Sequence, residues 1–339
     1  MTVSHSRTPS GRWLGAKLPS RVAALVLVAL LGGCSATATA LDEPVGDVYT
    51  HDPALVAGEG GDPWFVYSTG SGQTADGNIQ IRRSDDGVDW EYAGEVWQEK
   101  PDWLSEAVPG VDNLWAPELY EHDGTWYLYY SASTFGSNLS VIALATNTTI
   151  DPDAAGYEWV DRGVVISSEG ADFNAIDPGI VEDADGTPWL SFGSFWSGLR
   201  MVELAWPDGL RASDADPLRL ADRQSPPNAI EAPYILPHDG FYYLFFSRDF
   251  CCQGADSTYN IAVGRSAEVT GPYLDADGVA LMDDGGTVVL GTDGAKIGPG
   301  GQSVSDGILA YHFYDAELDG AFRLGLARLD WEDGWPVVR

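Results

Sequence analysis

Positive charge is scarce in this 339-residue chain, which has 18 Lys and Arg residues against 51 Asp and Glu residues. Four of the cations, Arg7, Arg12, Lys17 and Arg21, lie near the N-terminus, so 14 remain beyond it and the net charge there is −37. Such a surface repels nucleic acid and anionic lipid head groups. The chain also lacks a Gly-rich loop joining a strand to a helix. We therefore expect a neutral partner and no nucleic-acid function.

Cysteine is also scarce, with three residues in the whole chain. Two of them, Cys251 and Cys252, are adjacent and cannot staple a long loop. Outside the cell they form either a vicinal disulfide or a pair of buried thiols, and the sequence leaves both open. No histidine lies nearby at ligand spacing, so we expect no metal site at this pair.

Long apolar runs are absent except for Val22 to Leu31, which follows the N-terminal cations. This run is too short to span a bilayer as a mature helix and is typical of a secretory signal. It ends in Leu31-Gly32-Gly33-Cys34, which resembles a bacterial lipobox. The resemblance implies a lipoprotein signal peptide at 1–33, a lipidated Cys34 and a tether at 34–44. The protein would then be extracytoplasmic and held at the membrane only by its lipid. The alternative is a plain secretory leader cut between Ala36 and Ala40.

Helical periodicity is almost absent, and a proline motif recurs five times instead. The prolines are Pro53, Pro117, Pro178, Pro233 and Pro299, which lie 64, 61, 55 and 66 residues apart. A β-rich aromatic run follows each proline, and Asp-Gly turns between the two predict hairpins. This period predicts an all-β, five-bladed β-propeller with the proline-led strand innermost in each blade. A β-sandwich would also contain many short strands, but it would not explain the five-fold spacing.

The propeller domain is predicted to span 45–339 without an internal linker, which is long enough for a large single core. We expect a monomer. The predicted blades are 45–105, 106–168, 169–225, 226–283 and 284–339.

Three carboxylates, Asp52, Asp177 and Glu231, lie one or two residues before the proline of their repeats. Blades packed around an axis would bring them to one end of the central channel. Clustered carboxylates cannot all ionise easily, so at least one pKa rises. Glycoside hydrolysis needs this combination of a protonated acid and an ionised base. The structural alternative is that each carboxylate caps a turn, but the matched position of all three favours catalysis.

Aromatic residues beside the motifs also indicate a sugar ligand. The chain has 13 Trp residues, and Trp115, Phe195 and Trp196 adjoin a motif or a Gly/Ser turn. Flat rings stack on sugar faces and bind a neutral polymer without charge. Packing in the core is the alternative for each ring.

These motifs together resemble those of glycoside hydrolase family 43, and within it those of the endo-acting α-1,5-L-arabinanases. The resemblance covers nearly all of 45–339. The segments that carry it are His51-Asp52-Pro53, 113–118, 174–179, 194–198, 230–234 and 251–254.

The resemblance implies a glycoside hydrolase that cleaves internal α-1,5-L-arabinofuranosidic bonds of arabinan with inversion. Asp52 matches the general base that activates water, and Glu231 matches the general acid. Asp177 matches a third carboxylate that raises the pKa of the acid and orients it. In inverting enzymes the two catalytic carboxyl groups stand roughly 6.5–9.5 Å apart.

The resemblance also implies sugar-binding positions, but no required cofactor. Many arabinanases have a histidine near a calcium ion where this chain has Gly301, so a structural calcium would depend on Gln302, a weaker ligand. His51, beside the base, either tunes Asp52 or fills the channel. The implied substrate-binding residues are Trp115, Gly136, Asn174, Ala175, Ile176, Ser194, Phe195 and Trp196.

Two other functions stay open at this point. One is an exo-acting arabinosidase or xylosidase of the same family, since loop conformations decide whether the cleft is open at both ends. The other is a non-catalytic, lipid-anchored glycan-binding protein. The three clustered acids disfavour the second alternative, because a binder has no need of carboxylates that repel one another.

Overall fold

Residues 41–339 are described by a computed structural model of the chain, and they contain 22 β-strands. The predicted signal peptide at 1–33 and the predicted lipid site at Cys34 lie outside the described residues. Within the described part, no helix has both the length and the apolar character needed to cross a membrane. The strands form five sheets arranged as a five-bladed β-propeller, so the predicted fold is confirmed.

Each sheet is a blade built from strands that follow one another in the chain, with the proline-led strand at one edge. Blade 1 contains β1 (Val45–Gly46), β2 (Ala54–Val56), β3 (Trp64–Ser68), β4 (Gln80–Ser84) and β5 (Asp89–Glu95). Blade 2 contains β6 (Leu114–His122), β7 (Thr125–Ala132), β8 (Val141–Asn147) and β9 (Val160–Ser167). Blade 3 contains β10 (Gly179–Glu182), β11 (Pro188–Phe192), β12 (Leu199–Ala205), β13 (Leu210–Arg211) and β14 (Leu218–Ala221).

The last two blades are regular four-stranded sheets. Blade 4 contains β15 (Ile230–His238), β16 (Phe241–Arg248), β17 (Asn260–Ser266) and β18 (Thr287–Leu290). Blade 5 contains β19 (Lys296–Ser305), β20 (Ile308–Asp315), β21 (Ala321–Glu332) and β22 (Trp335–Val338). The helical segments are α1 (Trp103–Ala107) and three 3₁₀ turns at Gly254–Asp256, Leu281–Asp283 and Ala316–Leu318.

The predicted bounds of blade 4 are wrong at the C-terminal end. β18 (Thr287–Leu290) pairs with β17 and is the outer strand of blade 4, whereas the sequence placed it in blade 5. The connection from β17 to β18 is long and contains a 3₁₀ turn, so the strand does not follow its neighbour at the usual spacing. Blade 4 therefore ends near residue 290 rather than 283.

Two-residue Asp-Gly turns close several of the hairpins, as the sequence predicted. Asp123 and Gly124 join β6 to β7 with φ values of 50° and 76°, and Asp239 and Gly240 join β15 to β16 with φ values of 46° and 78°. Left-handed φ at both central positions is the pattern of a type I′ turn, which matches the twist of antiparallel strands.

Five apolar clusters form the core, one between each pair of neighbouring blades. In β7, Leu128 and Tyr130 pack toward blade 1 while Tyr127 and Tyr129 pack toward blade 3. Because both faces of the strand are buried, aromatic and aliphatic residues run along it without polar alternation. The cluster between blades 5 and 1 closes the ring.

The inner strands begin with a repeated backbone feature. The residue before the proline has a left-handed φ in all five blades, and in blades 2, 4 and 5 the pairing register shifts at this point. Such β-bulges redirect side chains at the rims of β structures. The residues and φ values are Asp52 at 50°, Ala116 at 42°, Asp177 at 60°, Ala232 at 53° and Gly298 at 56°.

Backbone N–H groups at these inner-strand starts hydrogen-bond to the preceding blade. At four of the five seams the acceptor is a side chain at or near the end of the second strand. The donor and acceptor pairs are Ala116 with Thr69, Asp177 with Ser131, Gly301 with Ser247 and Asp52 with His312, at 2.8, 3.0, 2.9 and 3.2 Å. At the remaining seam the Ala232 N–H donates to the Asp177 carboxylate oxygen Oδ2 at 3.1 Å.

Candidate active site

The three predicted carboxylates lie at one mouth of the central channel. Asp52, Asp177 and Ala232 line the same axial cavity of about 30 Å³, and Glu231 directly precedes Ala232. The loops that join β3 to β4, β7 to β8, β11 to β12 and β16 to β17 lie on this face, because the two strands that each loop joins are antiparallel. These loops surround the mouth, whereas the Asp-Gly turns lie on the opposite face.

Asp52 lies beside two histidine rings and a threonine hydroxyl. Its Oδ2 accepts from the Thr69 hydroxyl at 2.6 Å and lies 2.8 Å from His51 Nδ1, while its Oδ1 lies 3.5 Å from His312 Nδ1. Burial alone would raise the pKa of Asp52, but attraction to His51 and the hydrogen bonds from His51 and Thr69 lower that pKa to about 2. Asp52 is therefore ionised at neutral pH and can accept a proton from water.

Glu231 lies in the opposite kind of environment. It is 8% exposed, its Oε2 accepts from the Ser194 hydroxyl at 2.6 Å, and its Oε1 accepts from the Tyr259 hydroxyl. Burial raises the pKa of Glu231, and repulsion from Asp52 adds to the rise, while the two hydroxyl hydrogen bonds oppose it. The net effect favours the protonated carboxyl, the form that a general acid needs.

Asp177 lies in the same channel mouth and interacts with both of the other carboxyl groups. Burial raises its pKa well above the usual range, and repulsion from Glu231 and then from Asp52 raises it further, against the hydrogen bond from the Ala232 N–H. Asp177 and Glu231 are close enough that ionising one disfavours ionising the other. The cluster thus holds one carboxylate with a lowered pKa and a coupled pair of carboxyl groups whose pKa values are raised.

The predicted sugar-binding residues divide by exposure. Asn174 and Ile176 are buried at 3% and 7% exposure. Ala175 is fully buried in the cluster between blades 2 and 3, so its side chain offers no surface to a ligand. Ser194 is also buried, and its hydroxyl donates a hydrogen bond to the Glu231 carboxyl group. The side chains of all four residues are therefore buried.

Trp196 and Gly136 are exposed on the loops of the catalytic face, whereas Trp115 and Phe195 are half-buried. Trp196 is 40% exposed, so one of its surfaces is free for contact with a ligand. These four positions retain the accessibility that a sugar-binding role requires.

Several residues at the site were missed by sequence reasoning. Thr69 and Tyr259 donate hydrogen bonds to Asp52 and Glu231, and His312 packs against His51 with ring centroids 3.6 Å apart. Phe135, beside the predicted Gly136, is 84% exposed on the catalytic face. A large aromatic residue in a Ser/Gly turn was an available signal for Phe135. Thr69 carried no signal of its own, since its contacts come from the packing of blades.

The residues offered for a calcium ion do not fit one. Both ends of the Gln302 amide are engaged, with Oε1 accepting from the Ser247 hydroxyl and Nε2 donating to the Ala232 carbonyl at 2.6 Å. At Gly301 an added Cβ would lie 2.3 Å from Asp52 Oδ1 and 2.8 Å from His312 Nδ1. His312 thus occupies the space into which a side chain at 301 would extend. Its Nδ1 accepts the Asp52 N–H, whereas its buried Nε2 has no hydrogen-bond partner among the described residues.

Comparisons with known proteins agree with this geometry. The sequence model described as "Glycosyl hydrolases family 43" matches residues 41–336. An extracellular endo-α-(1→5)-L-arabinanase of Bacillus subtilis is 40% identical over 84% of this chain and 86% of its own. An extracellular exo-α-(1→5)-L-arabinofuranosidase of Cellvibrio japonicus is 39% identical over 86% of each chain. The solved family 43 endo-arabinanase of Bacillus licheniformis superposes with a TM-score of 0.81 at 40% identity, covering 88% of this chain and all of that one.

Proposed function

This chain belongs to family 43 of the glycosyl hydrolases, and from that premise we propose that it hydrolyses internal α-1,5-L-arabinofuranosidic bonds of arabinan with inversion. The observation that carries the proposal is the contrast between Asp52, whose pKa is lowered to about 2, and Glu231, whose pKa is raised at the same channel mouth. Environments that separate the pKa values of two carboxyl groups are a general basis for assigning base and acid.

In the proposed reaction Asp52 removes a proton from a water molecule, whose oxygen attacks the anomeric carbon. Glu231 donates its proton to the departing glycosidic oxygen, so one water is consumed and two hydroxyl groups form. When Asp177 is ionised it disfavours ionisation of Glu231, because the two carboxyl groups are close, and its Oδ2 accepts the Ala232 N–H. The reaction requires no redox or organic cofactor. Sugar rings would contact the exposed loop residues, Trp196 and Phe135 among them.

The test of this proposal is time-resolved product analysis on linear arabinan, with branched arabinan and xylan as controls. We expect a ladder of arabino-oligosaccharides early in the reaction, and a newly formed reducing end of inverted configuration by NMR. Release of arabinose alone would support the exo-acting alternative, which the Cellvibrio relative favours by its name. Tight binding without release of reducing sugar would support a glycan-binding protein and would remove the catalytic proposal.

We place this activity outside the cytoplasm, supported by the extracellular relatives and by the predicted signal peptide. Lipidation at Cys34 is the finer part of this proposal. Replacing this residue (Cys34→Ala) should move the protein from the membrane fraction to the medium, while total activity is retained. An unchanged distribution would favour the plain secretory leader.

A further inference from the structure

A line of hydrogen bonds joins the Cys251–Cys252 disulfide to the candidate base. The Cys252 N–H donates to the Tyr314 hydroxyl oxygen at 2.8 Å, and the same oxygen lies 3.0 Å from His51 Nε2. On the other side of the ring, His51 Nδ1 lies 2.8 Å from Asp52 Oδ2. Residues from three distant stretches of the chain therefore form one connected path that ends at a carboxylate of the site.

The partners in this line restrict where its protons lie. Asp52 is ionised and can only accept, so His51 Nδ1 carries the proton that it donates to Oδ2. The Tyr314 hydroxyl makes the hydrogen bond on the other side of the ring, at His51 Nε2, and its oxygen accepts the Cys252 N–H. Hydrogen bonds joined in such a line strengthen one another.

Neighbouring rings restrain His51, and within residues 41–339 no hydrogen bond to Nε2 is found besides that of Tyr314. One face stacks on the His312 ring at 3.6 Å between centroids, and the Phe322 ring meets it edge-on at 5.1 Å. Tyr314 itself is 2% exposed, so water does not replace its hydroxyl easily. The Tyr314 hydroxyl therefore holds the side of the His51 ring that faces away from Asp52.

The disulfide acts on the other end of the line. Cys252 is exposed and has a left-handed backbone with φ of 66°, in a turn between β16 and β17 on the catalytic face. A bond between the side chains of adjacent residues closes a small ring that includes their peptide, which restricts the direction of the Cys252 N–H. Its sulfur also lies 3.8 Å from the Tyr314 hydroxyl.

We propose that Tyr314, held by the disulfide-closed turn at Cys251 and Cys252, is a positioning residue that fixes the orientation of His51 and thereby aligns Asp52 for catalysis. This inference rests on the proposed function, in which Asp52 is the general base. Because Tyr314 is inferred to act on the geometry of the base, its loss should lower kcat and leave substrate binding unchanged.

The test removes the hydroxyl alone, in Tyr314→Phe. We expect kcat on linear arabinan to fall about tenfold, with KM unchanged within about twofold. A tenfold change is what the loss of one hydrogen bond to His51, the neighbour of the base, can produce. Long-range ¹H–¹⁵N NMR spectra should show the His51 Nδ1–H in both proteins, with the Nε2 resonance shifted in the variant because its hydrogen bond is lost. A wild-type kcat together with an unchanged Nε2 resonance would overturn the inference.

Tyr243→Phe is the matched control, because Tyr243 is 1% exposed and its hydroxyl donates to the Gly334 carbonyl at 2.6 Å, away from the channel mouth. It should lower thermal stability with kcat unchanged. If kcat falls by the same small factor in both tyrosine variants, in proportion to their loss of thermal stability, Tyr314 has only a structural role. An inactive wild type would instead remove the proposed function, so the two failures are distinguishable.

The contribution of the disulfide is measured with a double variant, Cys251→Ser with Cys252→Ser, which keeps the backbone N–H. We expect its kcat to fall in the wild-type background but to change little when Tyr314→Phe is already present, because coupled residues are not additive. Additive losses, or none in the wild-type background, would separate the disulfide from Tyr314 and overturn that part of the inference.

Discussion

Asp52 and Glu231 carry the same functional group, yet their surroundings favour opposite protonation states. Asp52 lies among His51, His312 and Thr69, while Glu231 is buried with two hydroxyl groups. Residue type alone therefore does not determine which carboxyl group is the acid. The number and kind of hydrogen-bond donors, together with burial, make that distinction.

At the residue scale, the first prediction concerns the proposed acid. Glu231→Gln keeps the size of the side chain but removes the proton donor, so kcat on arabinan should fall by about 10²- to 10⁴-fold with the fold intact by circular dichroism. Glu169→Gln, at an exposed glutamate on the same face, is the control and should retain wild-type turnover. Activity of Glu231→Gln within tenfold of the wild type would contradict the assignment.

A second residue-scale prediction concerns Glu118, which is 6% exposed in the channel and whose pKa burial raises to about 8, against a hydrogen bond from the Ile180 N–H. The folded protein thus holds a proton on Glu118 that the unfolded chain releases near pH 4.5. The stability that Glu118 contributes is full below that pH and is lost as the pH rises toward 8. The free energy of unfolding falls over this range by at most about 5 kcal/mol.

Glu118→Gln removes this titration, so its free energy of unfolding should fall less than that of the wild type between pH 5 and pH 9. Urea unfolding at several pH values measures the difference. The matched control is Glu121→Gln, at an exposed residue of the same strand, which should follow the wild-type pH dependence. Parallel curves for Glu118→Gln and wild type would show that Glu118 does not hold the proton.

At the scale of single elements, the Asp-Gly turns determine how each hairpin closes. Gly124 has φ of 76°, and an added Cβ would meet nothing within 4 Å, so only backbone strain opposes a side chain there. Gly124→Ala should therefore cost about 1 kcal/mol of unfolding free energy. The measurement is chemical denaturation.

Gly291→Ala is the control for this prediction, since a Cβ there also has open space but the backbone is not left-handed. Its stability should stay within about 0.5 kcal/mol of the wild type. Equal effects at Gly124 and Gly291 would show that the turn conformation does not contribute.

On the scale of the whole molecule, the ring closes without a covalent link between blades 5 and 1. The Ser303 hydroxyl donates to the Pro53 carbonyl at 2.7 Å and accepts the Leu55 N–H at 3.0 Å across this seam, and the residue is 4% exposed. Removing it in Ser303→Ala leaves two buried backbone groups unpaired. The expected cost is about 1–3 kcal/mol, measured by urea unfolding.

Ser305→Ala is the control at the same seam. Ser305 is half-buried, and its hydroxyl oxygen accepts a hydrogen bond from the Ala57 N–H at 3.0 Å. Water can replace that contact, so this control should cost less than about 0.5 kcal/mol. If Ser303→Ala is as mild as Ser305→Ala, the closing seam does not limit the stability of the ring.

The sequence by itself determined the propeller and the three carboxylates, because strand period, turn chemistry and the position of a residue within its repeat are local properties of the chain. Tertiary structure alone decided that Ala175 is buried, that Thr69 and Tyr259 meet the carboxylates, and that β18 belongs to blade 4. These outcomes depend on how blades pack against one another. Contact between residues far apart in the chain, and the pKa shifts that burial produces, exist only after that packing.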